Sequence, residues 1–323
     1  MDVATRPTVD VPASPATAVP SRRRLARRPT PGAAWLLVAP SLVVLVALLG
    51  YPLGWMIVLS FQRMSLRQLI TGTAPPWVGL DNYTRTLTDP FFWHVVARTV
   101  VFTVVAVVLS IGVGLLVALL MRRVSTWVRL AMIVAMLFVW AMPRLVSTQV
   151  FKWLVDADFG VVNWLIDRLP GVDFHEHSWF ISPVQGFVVI TAVVLWGAIP
   201  FLAITLHAGM SQVPKELEEA ATVDGASSAQ VFRHVTLPIL RPLIVIVTTL
   251  SVIWDMQVFE QIWVMRDTKP EQDYFTLGIY SYVQSFSRSN YSLGSAIAVL
   301  TVLLMLGVMA FYIRRMFQMG ELD

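Results

Sequence analysis

"VVFTVVAVVLSIGVGLLVALLM" occupies Val100–Met121 without one charged side chain. Crossing about 30 Å of hydrocarbon takes roughly 20 helical residues, so this run is long enough to span a bilayer. With no water to bond to, its peptide groups must pair internally, which leaves a helix. Outward from it the pattern recurs. Segments near 34–61, 94–121, 128–153, 184–209, 238–262 and 293–314 read as six such helices. Composition agrees: of 323 residues, 56% are hydrophobic and 14% charged, against about a quarter charged in a soluble domain. The predicted fold class is an all-α membrane protein with six transmembrane helices. Pro40, Pro52, Pro143, Pro200 and Pro242 fall within or near the ends of these spans, which predicts kinked helices packed on neighbours.

Residues 1–31, rich in Pro, Ser, Thr, Ala and Arg, read as a disordered basic tail ahead of a six-helix transmembrane domain over 32–323. Arg22, Arg23, Arg24, Arg27 and Arg28 close that tail. Arg122, Arg123, Arg129, Lys215, Arg233, Arg314 and Arg315 fall on the same side of a six-span topology. The positive-inside bias places both termini, and the loop 211–238, in the cytoplasm. The opposite loops, near 62–93, 154–183 and 263–292, are long and carry Trp77, Trp164, Trp179, Tyr274 and Tyr291, rings suited to an interface or a docking partner. The formal charge of +4 needs no nucleic acid to explain it.

Several chemistries are excluded. Without cysteine there are no disulfides, thiolate metal sites or cysteine nucleophiles. His175 and His177 are two histidines in a polar loop without further ligands, a solvated pair rather than a metal site. The chain lacks G-x-x-x-x-G-K-[ST], so it is no P-loop ATPase. G-x-S-x-G and H-E-x-x-H are absent too, which counts against an intramembrane enzyme; a polytopic receptor or scaffold is the remaining reading from another class.

One polar interruption stands out: "EEAATVDGASSAQVFRHVTLP", Glu218–Pro238. Pro214 suits the first turn of a helix, and Glu216, Glu218 and Glu219 lie near its positive end. Leu217, Ala220 and Ala221 make a narrow small-residue face. Asp224 closes the helix and Gly225 is the natural left-handed terminator. A second short helix, Ser228 to Val235, would present Phe232 as an apolar anchor before Leu237 and Pro238 restart the chain. Two short helices at a glycine elbow suit a protein partner better than an anionic lipid surface, because the first helix is acidic.

Glu219-Ala220-Ala221, three residues, Gly225, nine residues and Val235-Thr236-Leu237-Pro238 resemble the EAA motif of ATP-binding-cassette importer permeases, E-A-A-x3-G-x9-I-x-L-P, with valine for isoleucine the one change. "VGLDNY" (Val78–Tyr83), "DPFFW" (Asp89–Trp93), "FGVVNWL" (Phe159–Leu165) and "VFEQIWVM" (Val258–Met265) are similar to stretches of the carbohydrate-uptake, MalF-like branch. The resemblance covers most of 34–315. One departure is clear: Arg266-Asp267-Thr268-Lys269-Pro270 stands where family members continue T-x-G-G-P, so that loop's shape is left open. The resemblance implies a type I importer (MetI/MalF-like) permease in a bacterial cell membrane. It also implies a coupling helix docked on a separate ATPase dimer that binds ATP and Mg, a second homologous permease, and an extracytoplasmic solute-binding lipoprotein.

Charge within a span marks a functional candidate. The fifth span carries Asp255 and Glu260, and Trp254, Gln257 and Gln261 are spaced for one helical face. An indole plate beside hydrogen-bonding groups suits a sugar, whose ring stacks while its hydroxyls pair. Counted from the EAA loop, the family's sugar-contacting positions fall on Ser251, Trp254, Asp255 and Val258, and on Gly197, Ala198 and Phe201 of the fourth span. Arg144 is a further candidate, foremost as a partner of Asp255 or Glu260. The expected solute is a sugar or sugar-like molecule. Glycerol-phosphate compounds fit the same branch, and an amino-acid or inorganic-anion importer is the runner-up within transport.

Overall fold

The computed structural model describes residues 31–320. The expected basic tail lies outside the described residues but for Pro31, which begins helical turns ahead of the first span. The chain divides into two compact units, Met1–Pro52 and Leu53–Asp323. Among the described residues the extended pairings are two isolated bridges, Gln62 with Trp77 and Ser65 with Asn290; the regular structure is otherwise helical.

In chain order the main helices are α1 (Val38–Ser60), α2 (Asp81–Thr88), α3 (Pro90–Arg123), α4 (Thr126–Ala141), α5 (Arg144–Leu154), α6 (Pro183–Met210), α7 (Lys215–Val223), α8 (Leu237–Met256), α9 (Glu260–Met265) and α10 (Tyr291–Gly320). Five candidate spans are long and apolar enough to cross a bilayer: α1, α3, α6, the run Ser228–Met265 that contains α8 and α9, and Tyr291–Arg314 of α10. In the first unit Trp35, Leu36, Val43, Leu48 and Tyr51 are exposed, as side chains facing acyl chains are.

The third expected span is the exception. It is not one helix over 128–153 but α4 and α5, bent by 98° between them. Met142 and Pro143 are extended, with ψ of 130° and 134°. A proline disfavours helical backbone at the residue before it and supplies no N–H to the turn behind it, so the dipeptide breaks the span instead of kinking it. The fifth span also differs. Its helical run starts at Ser228, so the expected separate short helix over 228–235 merges with it through a π turn at Phe232–Thr236. A widened turn absorbs the N–H that Pro238 lacks. At the other end helix α8 stops at Met256 and resumes as α9 at Glu260, without a proline or glycine between them.

In the second unit α3 and α6 form the axis. Gly114 permits their approach: a Cβ there would sit 2.8 Å from Leu202 Cβ. Towards one end Val95, Phe102, Ala106, Ile190, Val193, Ile262 and Ile297 form one buried cluster. Towards the other, Ala118, Leu202, Leu206, Met210, Leu240 and Val247 form a second. Gly114→Val overfills that contact and is expected to cost about 1–3 kcal/mol, read as a lowered melting temperature of the purified protein; an unchanged melting point refutes the close approach.

Loops pin the helix ends. Asn82 of "VGLDNY" donates from Nδ2 to the Ser60 and Gln62 carbonyls at 2.9 and 2.8 Å, and Asp89 caps α3 by accepting from the Phe91 amide at 2.9 Å. Asn163 of "FGVVNWL" donates to the His177 carbonyl at 2.7 Å and accepts from Trp179 Nε1 at 2.6 Å. The loop after α9, where the family's glycines are missing, keeps a left-handed turn regardless: Asp267 and Thr268 have φ of 51° and 62°. Lys152 pairs with Asp267, and Arg266 forks onto Glu271. The bonds from Arg266 hold the Glu271 carboxyl below its usual range. A β-branched residue in that conformation is strained by about 1–2 kcal/mol. Thr268→Gly is therefore expected to stabilise the protein by about 1 kcal/mol, seen as a raised melting temperature; a fall contradicts the strain.

Candidate functional site

The bend of the third span and the break of the fifth open onto one cavity of about 400 Å³. Its wall takes Met142, Pro143, Arg144 and Ser147 from the bend. Gly197, Ala198 and Phe201 come from α6, Trp254 and Asp255 from α8, and Val258 and Gln261 from the break and α9. Six of the eight sequence-derived solute positions thus meet: Gly197, Ala198, Phe201, Trp254, Asp255 and Val258. Trp254 and Phe201 pack edge to face at 5.3 Å, leaving part of the indole open. A Cβ at Gly197 would meet nothing within 4 Å, so that position keeps volume free.

Two of the eight do not line it. Ser251 is buried in packing, and Gln257 is exposed at the C-terminal cap of α8. The expected single face of Trp254, Gln257 and Gln261 presumed an unbroken helix; the break after Met256 resets the helical phase, and only Trp254 and Gln261 reach the wall.

Electrostatically the cavity is bipolar. Asp255 is buried, and its Oδ2 has no hydrogen-bond partner among the described residues. Arg144 shares the wall, yet the ion pairs among the described residues include none from Arg144 to Asp255 or Glu260. The expected partnership of Arg144 with Asp255 is thus a charge interaction across the cavity and not a contact ion pair. A buried carboxylate oxygen left unpaired is costly, and a donor that enters the cavity removes that cost. What the arrangement can do is hold a small polar ring against an aromatic wall, with one acceptor and one donor beside it.

The second site is the loop 211–238. Helix α7 ends in a full glycine motif: Gly225 has φ +87°, its amide bonds the Thr222 carbonyl, and the Ala226 amide bonds the Ala221 carbonyl, both at 3.0 Å. This is the paired 5→2 and 6→1 closure of a left-handed cap. Ser227 and Gln230 then form a capping box for the next turn. Glu219, Ala220, Asp224 and Gly225 are exposed and Ala221 is half-buried. Leu217 and Val223 are exposed as well, Val223 at 86%.

Phe232 corrects an expectation. It is half-buried and not fully outward, packed against the cluster around Leu206, Met210 and Leu240; Leu237 is likewise half-buried, while Pro238 is exposed. The outward apolar residues are Leu217 and Val223, and Val223 could have been found from its place just before the cap. Glu218 was also missed as distinct from Glu219. Its carboxylate accepts from both terminal nitrogens of Arg122, at 3.1 and 2.6 Å, and from Thr236 Oγ1 at 2.8 Å. The bonds from Arg122 hold its carboxyl below the usual range, so this contribution to stability is present at neutral pH. It is lost as pH falls through that lowered value. His177, between Phe174 and Trp179, has Nε2 3.1 Å from Gln185 Oε1, and among the described residues no three potential ligands gather for a metal.

The family described as "binding-protein-dependent transport system inner membrane component" matches residues 110–319. The chain is 39% identical over 301 residues to the diacetylchitobiose uptake system permease protein DasB of Streptomyces coelicolor, across 93% of this chain and 92% of that one. It is 32% identical to the sulfoquinovosyl glycerol transport system permease protein SmoG of Agrobacterium fabrum, across 86% and 88%. It is 30% identical to the trehalose/maltose transport system permease protein MalF of Thermococcus litoralis, across 87% and 92%. A bacterial alginate ABC transporter, solved in complex with an alginate pentasaccharide-bound periplasmic protein, superposes with a TM-score of 0.73 over 86% of this chain and 92% of its own, at 17% identity. An inward-facing MetNI methionine ABC transporter gives 0.52 over 72% and 99%, at 18% identity. These two likenesses concern fold, and they agree with the type I importer architecture expected from the sequence.

Proposed function

Since the chain belongs to the family of binding-protein-dependent transport system inner membrane components, and is a multi-pass permease subunit of such an importer, we propose that a neutral sugar or sugar-like solute crosses the membrane through the cavity at the bend. The observation that carries this is the wall itself: an open indole with Phe201 behind it, the unpartnered Asp255 Oδ2, and Arg144. Indole accepts the apolar face of a sugar ring; Asp255 accepts from hydroxyls and Arg144 donates to them. One acid and one base together favour a neutral ligand over a phosphodiester. The relatives named for diacetylchitobiose, sulfoquinovosyl glycerol and trehalose/maltose transport support the sugar class.

An extracytoplasmic binding protein, lipid-anchored in the membrane's outer surface, delivers the solute. A second homologous permease completes the pathway, and both termini are cytoplasmic. ATP and Mg are bound by a separate ATPase dimer, which docks on the loop around Glu219–Gly225 and drives alternating access; this chain carries no covalent chemistry. The exposed Leu217, Ala220 and Val223 beside the rigid cap support that docking.

The test is purification of the tagged chain from its native membrane under mild conditions. An ATPase, a second six-span chain and a binding protein are expected with it, and the binding protein's bound ligand is expected to be a sugar. A chain that comes alone, even after crosslinking through 215–235, overturns the reading.

A further inference from the structure

The doublet Glu218-Glu219 is chemically uniform but structurally split. Glu219 is exposed on α7. Glu218 turns inward and is held three times, twice by Arg122 at the last turn of α3 and once by Thr236, which is fully buried at the entrance to α8. Covalently, α7 is joined only to α6 before it and to the run into α8 after it. Through sequence, α3 is remote from it by 96 residues. The Arg122 fork therefore ties the cytoplasmic end of the second span directly to α7, adding an oriented bond to the packing of α3 against α6 and α8.

We propose that Glu218 is a positioning residue, a strap that makes α7, the cytoplasmic half of α3 and the start of α8 move as one body, while Glu219 and its exposed neighbours face the ATPase. This rests on the coupling reading of the loop. A two-toothed guanidinium–carboxylate fork fixes orientation as well as distance, so a push on α7 is transmitted as rotation and not merely as approach. The buried Thr236 hydroxyl keeps the same carboxylate from swinging away from α8. Because α3 and α6 meet closely at Gly114, motion delivered to α3 reaches the α6 wall of the cavity.

The test uses the complete importer with its ATPase, in vesicles of phosphatidylethanolamine and phosphatidylglycerol, with MgATP and vanadate as the probe. Nitroxide labels at Lys215 on α7 and at Val108 on α3, both exposed, report the distance between the two helices. In the otherwise natural chain the distribution is expected to be narrow and unchanged by nucleotide. Arg122→Glu or Glu218→Arg alone is expected to broaden it and make it shift with nucleotide. The exchange of both, R122E with E218R, is expected to restore the narrow distribution. Where a single reversal fails to assemble, Glu218→Gln and Thr236→Val carry the same comparison. A natural-chain distance that changes with nucleotide, single variants indistinguishable from it, or a double exchange that restores nothing would each overturn the strap. Absence of an ATPase from the preparation would instead defeat the coupling reading, and the distributions without nucleotide would still judge the strap.

Discussion

Gly225→Val is expected to reduce uptake about tenfold or more, the factor carried by a loss of some 1.4 kcal/mol, while the spans still insert and pack. The reason lies in backbone, not in crowding. Gly225 sits at φ +87°, where an L residue costs about 1–2 kcal/mol and a β-branched one is a genuine outlier. The space around its missing Cβ is open, with nothing within 4 Å. A side chain therefore collides with nothing, and the cost is relieved by flattening the turn. That breaks the closure from Gly225 and Ala226 onto Thr222 and Ala221, and the end of α7 that presents Val223 is lost. Gly225→Asn, which tolerates the left-handed region, should keep most activity. Uptake by whole cells, with the retained ATPase measured beside it, decides the matter. Valine at wild-type rates refutes the role of the elbow.

Trp254→Ala is expected to abolish uptake with the assembly intact. The indole is 39% exposed, so its removal opens the wall without hollowing a core. The edge-to-face pair with Phe201 contributes about 0.5–1.5 kcal/mol, a modest folding cost. What is lost is the plate on which the solute rests, and Phe201 would be left to face a wider chamber. Trp254→Phe should retain much of the rate. Uptake kinetics, with co-purification of the partner subunits as the control on assembly, test this. Unaltered kinetics in the alanine variant move the site elsewhere.

Much of this architecture was legible because its signals are long or conformationally singular. Apolar runs of twenty residues and a glycine before a capping serine each admit few alternatives. What escaped was phase. Periodicity through an unbroken helix puts Gln257 on the face of Trp254, but the helix stops at Met256, and nothing in "MQVFEQ" marks the stop. Ordinary helical periodicity turns Phe232 outward, whereas the residue opens the π turn Phe232–Thr236 and is half-buried. Glu218 and Glu219 cannot be told apart by composition; the fork from Arg122, on another helix, separates them. Met142-Pro143 does carry a signal, but a proline within an apolar run predicts a kink as readily as the 98° break found here.

That bend has a further cost and use. A helix interrupted within a bilayer leaves carbonyl groups that its own turns no longer cover, and hydrocarbon does not tolerate them. Here the Pro143 carbonyl accepts from the Val146 and Ser147 amides and the Arg144 carbonyl from the Ser147 and Thr148 hydroxyls, and Met142, Pro143 and Arg144 line the cavity. The same break thus gives an insulating film a polar-walled hollow of about 400 Å³ without leaving these carbonyls bare.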